Sequence, residues 1–270
     1  MESAIKIAEI EARSILSKTQ IPVADYVINP YVGCSHACLY CYARFMKRFT
    51  GHREDWGEFL DIKINAGDLV PKRGSYQGKR IFLSSVTDPY LPQERQCKLT
   101  RRILGNLLPL EPYLNILTKS DLVLRDMDLI KQFPQREIGF SFSTLDENLR
   151  RQVERRANPV EKRLNALKTV HQKGIRNYLF ISPIFPFLTD WKAIIHKTRS
   201  FVDYFMFENL NVAGSVWGPV KRWIKIEHPE LADLYQDIYF GQSPYWEEVE
   251  EEIRDYCQKE GLEFQIYFHH

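Results

Sequence analysis

The sequence predicts an α/β protein built on a parallel β-sheet that is buried on both faces. From residue 80 onward, short runs of apolar residues alternate with stretches in which apolar residues recur at helical spacing. Continuous apolar strands separated by helices are typical of a parallel sheet covered on both sides. The chain has 270 residues, 44% of them hydrophobic and 27% charged, which is enough for one such domain with a large core. The spacing alone fits either an open barrel or a doubly wound sheet.

The N-terminal segment is predicted to form an amphipathic helix. Ala4, Ile7 and Ile15 recur at helical spacing with Glu and Lys between them, and a proline at position 22 ends the pattern. A short strand over residues 23–28 then leads into a loop rich in cysteine.

Six strands are predicted in the main domain, five of them in consecutive alternation with helices. The predicted strands lie at residues 23–28, 81–83, 113–117, 137–142, 177–181 and 203–207, and the helices between the later strands lie at 99–108, 122–132, 161–173 and 191–200.

The pattern changes after residue 211. Aromatic and helix-breaking residues come first, then an acidic helix over residues 245–259 and a last strand over 263–268. We therefore divide the chain into three parts that form a single structural unit. These are an N-terminal helix (1–22), a main α/β domain (23–211) and a C-terminal helical cap or extension (212–270).

Three cysteines lie within eight residues in the loop that follows the first strand of the main domain. Cys34, Cys38 and Cys41 are separated by three and two residues. Thiolates at such spacing are soft ligands for zinc, copper or an iron–sulfur cluster. A structural zinc site needs a fourth ligand, for which His36 or Cys97 would have to serve. Zinc ligands usually come as two pairs and this sequence has no second pair, whereas an iron–sulfur cube held by three cysteines would leave one iron open.

The bulk composition limits the partners and the compartment. Lys plus Arg number 37 against 35 for Asp plus Glu, so the net charge of +2 gives no overall field that attracts nucleic acid. No apolar run approaches the ~18 residues of a membrane span. Three of the five cysteines are too close together for ordinary pairing, which predicts reduced thiols and a cytoplasmic protein without membrane partners.

Residues 29–44 (NPYVGCSHACLYCYAR) resemble the radical S-adenosylmethionine (SAM) superfamily. The Cys-x3-Cys-x2-Cys form with Tyr40 before the last cysteine marks the superfamily, and the longer string is similar to the branch related to spore photoproduct lyase, often labelled "DNA repair photolyase". The resemblance continues at residues 56–57, 63–65, 84–90, 117–120 and 208–211.

This resemblance implies both a fold and a chemistry. The fold is a partial (β/α)6 TIM-type barrel of the radical SAM type, here with the N-terminal helix and the C-terminal helical cap. The resemblance implies that Cys34, Cys38 and Cys41 hold a [4Fe-4S] cluster whose fourth iron is chelated by SAM. One-electron reduction by a flavodoxin- or ferredoxin-type donor would cleave SAM to methionine and a 5′-deoxyadenosyl radical, which abstracts hydrogen. The protein then supplies position and excludes water.

Polar residues follow five of the predicted strands, at the ends where parallel barrels place their active groups. Lys119 is the best candidate, because its ammonium would form a charge-assisted contact with the SAM carboxylate, as a lysine does in the lyase branch. Ser143 stands where the family often has a ribose ligand, and Tyr40 would pack against adenine. Helix capping explains such Ser, Thr and Asp residues equally well, and core packing could explain Tyr40. The predicted SAM-binding residues are Tyr40, Ser84, Asp88, Lys119, Ser141, Ser143 and Ser182, and other polar residues at strand ends include Thr118, Glu208 and Asn209.

One feature of the lyase branch is missing, namely the cysteine that returns a hydrogen atom to the product radical. The matching stretch, residues 84–88, reads Ser-Ser-Val-Thr-Asp. Cys97 lies nine residues beyond Asp88 on a predicted helix and is not assigned that role. Thymine-dimer repair is therefore in doubt, and Tyr90 is predicted as the catalytic residue that relays a hydrogen atom.

Basic residues interleaved with aromatic ones are expected around the mouth of the barrel. Such a mixture suits single-stranded or flipped nucleotides. The residues are Arg44, Lys47, Arg48, Arg53, Lys72, Arg73, Lys79 and Arg80, with Phe45, Phe49, Trp56 and Tyr76 among them. The four arginines within residues 150–156 fit a solvated helix face as well as a phosphate contact.

Three functional hypotheses follow from the sequence. The first is a radical SAM enzyme acting on a nucleic-acid base or nucleotide, and the second is one acting on a peptide or small metabolite. The third is a metal-bearing nucleic-acid binding module without turnover. Formation of 5′-deoxyadenosine separates the first two from the third, and salt-dependent binding to DNA or RNA separates the first from the second.

Overall fold

Parallel strands form the centre of the protein. The computed structural model describes residues 4–269. Its strands are β1 (Lys6–Ile10), β2 (Leu16–Lys18), β3 (Tyr26–Ile28), β4 (Tyr31–Val32), β5 (Phe59–Lys63), β6 (Arg80–Leu83), β7 (Tyr113–Thr118), β8 (Gln135–Phe142), β9 (Arg176–Ile184), β10 (Tyr204–Asn209) and β11 (Phe264–Ile266).

The larger of two sheets has the order β11-β10-β9-β8-β7-β6-β3-β2. Its neighbouring strands are parallel, except that β2 pairs antiparallel with β3. The six parallel strands from β3 to β10 are therefore neighbours in chain order, as a partial (β/α)6 barrel requires. This confirms the α/β class and its parallel sheet.

Helices cover the outside of this sheet. In α5, for example, Leu164, Leu167 and Val170 bury one face in the main core. The α-helices are α1 (Glu94–Cys97), α2 (Leu99–Leu107), α3 (Met127–Ile130), α4 (Glu147–Val153), α5 (Val160–Gln172), α6 (Trp191–Thr198), α7 (Trp217–Glu227), α8 (Ala232–Phe240) and α9 (Tyr245–Lys259), and 3₁₀ helices lie at Tyr42–Phe49, Leu108–Leu110, Asp121–Asp126 and Pro229–Leu231. Between residues 4 and 269, the structure has no helix with the length and apolar character that a bilayer crossing requires.

The predicted N-terminal helix is wrong, because residues 4–22 contain β1 and β2 instead. β1 pairs in parallel with β5, which pairs antiparallel with β4 to complete a small second sheet. In β1 the partly buried residues are Ala8 and Ile10, at the two-residue spacing of a strand, whereas Ile7 is exposed, and the pairing with β5 decides the outcome. Residues 1–3 of the predicted helix lie outside the described part of the chain.

The C-terminal segment is only partly a cap. Val220 of α7 and Tyr235 of α8 pack against Val153 of α4 in a hydrophobic cluster of their own. In contrast, Ile253 and Cys257 of α9 belong to the main core, and β11 pairs in parallel with β10. The predicted last helix and strand are present, and they extend the main sheet. His270 lies outside the described residues.

Side chains close the amino end of the barrel. The Tyr178 hydroxyl and Asn115 Oδ1 are 2.8 Å apart, Asn115 Nδ2 donates to Glu137 at 2.7 Å, and Tyr204 donates to Glu137 at 3.0 Å. A Cβ at Gly139 would lie 2.1 Å from the ring of Tyr178, so glycine leaves room for that ring. The carboxyl ends of the strands are consequently the accessible end of the barrel.

Candidate functional site

The three cysteines lie on one loop between β4 and the 3₁₀ helix Tyr42–Phe49. Cys34 and Cys38 are buried, Cys41 is partly exposed, and none forms a disulfide. A Cβ at Gly57 would lie 2.5 Å from the Cβ of Ala37, so the close packing of this loop requires glycine there. The sequence thus places three sulfur atoms on one compact, tightly packed turn.

The donors around these cysteines fit an iron–sulfur cluster. Burial raises the pKa of all three thiols, that of Cys38 to about 12, so stable thiolates would require a bound cation. Trp56 Nε1 and His36 Nδ1 are buried without an oxygen or nitrogen partner among the described residues. Burial has the largest effect on the pKa of Cys41 and raises it. A hydrogen bond from Trp56 is among the smaller effects that lower this pKa. Within residues 4–269, no group of three or more His, Cys, Asp or Glu side chains is already arranged to hold a metal ion. The fit to a cluster therefore rests on the three thiols and the buried donors around them.

Asp88 connects the cysteine loop to two strand ends. Its carboxylate accepts hydrogen bonds from Thr118 Oγ1 at 2.7 Å and from the backbone N–H groups of Lys119 and Tyr90, each at 2.8 Å. His36 Nε2 lies 3.1 Å from Oδ2 of the same carboxylate. Burial alone would raise the pKa of Asp88, but these partners lower it. Asp88 is thus placed to support the loop and Lys119, and its predicted direct contact with SAM stays a prediction.

Lys119 brings predicted cofactor residues from different strands together. Its Nζ donates to Ser141 Oγ at 2.6 Å and lies 5.7 Å from the centre of the Tyr40 ring. Lys119 follows β7, Ser141 is on β8 and Tyr40 is on the cysteine loop, so one ammonium group joins three elements. Such a partly buried ammonium at the open end of the barrel is suited to bind a carboxylate.

Glu154 is the important residue that sequence reasoning missed. It is fully buried, and its carboxylate lies 3.6 Å from Lys119 Nζ and 2.7 Å from Arg163 Nη2. It also accepts hydrogen bonds from the hydroxyl of Tyr40 and, at 3.3 Å, from that of Ser143. Burial by itself would raise the pKa of Glu154, but the charges of Arg163 and Lys119 lower it to about 2. The carboxylate is therefore ionised and holds two cations in place.

The backbone around Glu154 also holds the cysteine loop. Glu154 forms an isolated β-bridge with Cys38, and the N–H of Leu39 donates to the carbonyl of Val153 at 2.8 Å. The N–H of Arg156 donates to the carbonyl of His36 at 3.1 Å. The turn after α4 thus fixes the loop through contacts separate from those of Asp88. A lone acidic residue within the arginine-rich segment 150–156 was the sequence signal for this role.

The two serines at the ends of β6 and β8 both donate hydrogen bonds to other groups inside the protein. Ser84 donates to the carbonyl of Ile28 at 3.2 Å, and Ser143 donates to Glu154. Both serines are buried, so the structure gives them connecting contacts. Their predicted contacts with SAM stay predictions.

A line of polar groups crosses the carboxyl ends of β8, β9 and β10. Ser141 Oγ donates to the carbonyl of Ser182 at 3.2 Å, and Ser182 Oγ donates to Glu208 Oε2 at 2.5 Å. Glu208 Oε1 lies 3.2 Å from His269 Nε2, and the hydrogen bond raises the pKa of His269. The side chain of Asn209 fixes the backbone of His269 through two hydrogen bonds. No pattern in the sequence indicated that His269 returns to this site.

The backbone of Tyr90 contacts Asp88, but within residues 4–269 its hydroxyl makes no contact with these groups. Its side chain is fully buried, and burial together with nearby Asp126 and Glu94 raises its pKa well above the ordinary value. The described residues show no contact between its hydroxyl and the group around Lys119. Its predicted role as a hydrogen relay stays a prediction without support from this geometry.

The basic residues expected around the mouth divide between the two ends of the barrel. Arg80 begins β6, and its guanidinium lies 5.8 Å from the ring of Tyr113, the first residue of β7. Arg80 and the preceding Lys79 therefore lie at the amino end, and their expected place at the mouth is wrong. The 3₁₀ helix Tyr42–Phe49 places its three basic residues beside the cysteine loop.

The radical SAM superfamily model matches residues 28–197 of this chain. A protein of Methanocaldococcus jannaschii is 45% identical over 234 residues, which are 87% of this chain and 88% of the relative. This match therefore covers most of both chains.

Solved structures share the fold at low identity. A spore photoproduct lyase variant with bound AdoMet (that is, SAM) and dinucleoside spore photoproduct aligns with a TM-score of 0.67 and 17% identity, over 97% of this chain and 82% of the lyase. SuiB of Streptococcus suis bound to S-adenosylmethionine aligns with a TM-score of 0.56 and 16% identity, over 90% of this chain and 50% of SuiB. Together with the family match, these findings confirm the predicted superfamily. The chain belongs to the radical SAM superfamily and is an enzyme of that class, whose members use a [4Fe-4S] cluster and SAM.

Proposed function

We propose that Cys34, Cys38 and Cys41 hold a [4Fe-4S] cluster and that the enzyme abstracts a hydrogen atom from a nucleic-acid base or nucleotide. The position of Lys119 carries the cofactor half of this proposal. Its ammonium lies 2.6 Å from Ser141 at the same end of the barrel as the cysteines. When bound, the cluster and SAM supply the one-electron chemistry that breaks a carbon–hydrogen bond.

The chain's own residues bind, orient and exclude water. Lys119 supplies the positive charge for the SAM carboxylate, and buried Glu154 holds that charge in place. The Tyr40 hydroxyl is committed to Glu154, which leaves the ring for packing against adenine. The ring centre of Phe185 lies 5.5 Å from that of Tyr40, and the ring centre of Trp223 lies 5.3 Å from that of Phe185. This aromatic wall keeps water from the Tyr40 side of the site.

Two observations support a nucleic-acid substrate. The spore photoproduct lyase structure with this fold holds a dinucleoside spore photoproduct. At the barrel mouth of this chain, Ser182, Glu208 and His269 form an edge of hydrogen-bond donors and acceptors. Nucleobases present paired N–H and C=O groups, which carboxylate and imidazole groups complement. Residues 84–88 contain no thiol, so hydrogen return by a cysteine there is not part of the proposal.

Replacing Lys119 with methionine should weaken SAM binding while the iron content stays unchanged. Losing a charge-assisted hydrogen bond of about 1.5–3 kcal/mol corresponds to a rise in Kd of roughly 10- to 100-fold. Titration calorimetry of SAM into the iron-loaded protein measures this. Lys173→Met, an exposed position at the end of α5, is the matched control. A Kd for Lys119→Met equal to that of the control would contradict the assignment.

Single-stranded oligonucleotides should stimulate SAM cleavage if a nucleic-acid base is the substrate. The assay measures 5′-deoxyadenosine formed by reconstituted enzyme with dithionite and SAM, with and without DNA or RNA oligonucleotides of mixed sequence. Retention of the enzyme on the stimulating oligonucleotide should weaken as salt rises, because phosphate contacts release counterions. Cleavage that no oligonucleotide stimulates, with no salt-dependent retention, would reject the nucleic-acid half and leave the cofactor half standing.

A further inference from the structure

An exposed aromatic surface lies directly beside the cysteine loop. It is formed by the 3₁₀ helix Tyr42–Phe49, hereafter the 42–49 surface, which begins one residue after Cys41. Tyr42, Phe45 and Phe49 are all exposed, and Phe49 is exposed to 67% of its full area. Grouped large apolar side chains on a surface mark a place of interaction with another molecule.

The same surface is basic. The helix carries Arg44, Lys47 and Arg48 and has no acidic residue. Exposed Arg155 is close enough to Arg44 for its positive charge to lower the pKa of Arg44. Asp55 lies 3.9 Å from Lys47 Nζ and offsets part of the positive charge of this surface. Since the whole chain carries only +2, this is a local concentration of positive charge. A partner with an acidic face complements it.

The aromatic rings favour a protein partner over a nucleic acid. The guanidinium carbon of Arg48 lies 4.6 Å from the ring centre of Phe49 and 5.5 Å from that of Phe45. The guanidinium thus competes with bases for these ring faces, on which a single strand would have to stack. Arginine and aromatic side chains with apolar edges exposed are instead the groups enriched at protein interfaces.

The location points to electron delivery. Radical SAM enzymes need an electron donor. Cys41 is the least buried of the three cysteines and precedes the first residue of the helix, so the helix offers a short covalent route from the surface to the thiols. Arg48 and Phe49 lie at the far end of this helix from Tyr42, whose hydroxyl donates to the carbonyl of Ser85 after β6.

We propose that the 42–49 surface docks a small acidic redox protein of the flavodoxin or ferredoxin type. The docked donor gives up one electron and is oxidised, and the cluster gains that electron and is reduced. The contact is of the small, transient kind found in electron transfer, with Arg48 and Phe49 at its centre. This inference rests on the proposed function, because it assumes a cluster on the cysteine loop.

The test compares two sources of electrons for the same enzyme. Formation of 5′-deoxyadenosine is measured with reduced flavodoxin, and separately with dithionite, for the wild type, Arg48→Glu and Phe49→Ala. Arg48→Glu should slow the flavodoxin-driven reaction about tenfold at low salt and leave the dithionite-driven reaction unchanged. Phe49→Ala should slow the flavodoxin-driven reaction in the same selective way. Lys79→Glu makes the same charge change at the amino end of the barrel, and both of its rates should equal those of the wild type.

Each other result overturns the proposal. Flavodoxin-driven rates that Arg48→Glu and Phe49→Ala leave unchanged would show that the donor docks elsewhere. Equal losses with flavodoxin and dithionite would show a structural role for the helix. Loss of oligonucleotide retention with an unchanged flavodoxin-driven rate would make the 42–49 surface a nucleic-acid site. No cleavage by wild-type enzyme with dithionite would instead overturn the proposed function and this inference with it.

Discussion

Replacing Cys38 with alanine should remove the bound iron and abolish SAM cleavage. In the proposed site the cluster would have three thiolate ligands on one short loop, and two would not retain it against loss to solvent. Iron should therefore fall from roughly four atoms per chain to near zero after anaerobic reconstitution and desalting. Iron and sulfide analysis measures this directly, and circular dichroism shows whether the fold persists.

Cys97→Ala is the matched control for this experiment. Cys97 is exposed on α1, outside the cysteine loop, so its loss should leave the iron content unchanged. Iron that survives in Cys38→Ala, or that disappears in Cys97→Ala, would contradict the assignment of the three ligands.

Glu154→Gln should give the largest loss of stability of any single change at the site. The substitution leaves two cations facing a neutral amide, and one of them, Arg163, is fully buried. Breaking a buried ion pair in this way costs about 3 kcal/mol of unfolding free energy, which lowers the Tm by several degrees. The Kd for SAM should rise as well, because Glu154 positions Lys119. Chemical denaturation and SAM titration measure the two effects.

An exposed ion pair supplies the control for Glu154→Gln. Glu252 on α9 lies 2.5 Å from Lys192, and about half of each side chain is exposed. Glu252→Gln should change stability much less, because solvent screens exposed pairs. Equal effects of the two substitutions would contradict the role given to Glu154.

The succession of strands could be predicted because each strand is buried on both faces. The runs that became β6 and β7 are apolar over most of their length, which is a local property of the sequence. The carboxyl ends of parallel strands meet at one edge. Lys119 and Ser141 could therefore be placed together from the strand pattern, and the structure confirms that they are in contact.

The features that could not be predicted from the sequence depend on residues that are distant along the chain. β1 reads locally as a helix, and its strand conformation depends on pairing with β5. Glu154 contacts Tyr40, which lies 114 residues away, and no local pattern announces that contact. Lys79 and Arg80 were expected at the mouth because of their charge, but the direction of β6 places them at the opposite end.

The most direct test of the proposed cluster is the metal content and the SAM-cleaving activity of the anaerobically reconstituted wild-type protein. Iron and sulfide are measured first, and 5′-deoxyadenosine is then measured after addition of dithionite and SAM. We expect roughly four irons per chain and deoxyadenosine that forms only when SAM and reductant are both present. One zinc per chain with SAM left intact would contradict it, because the cysteine loop would then be a structural metal site.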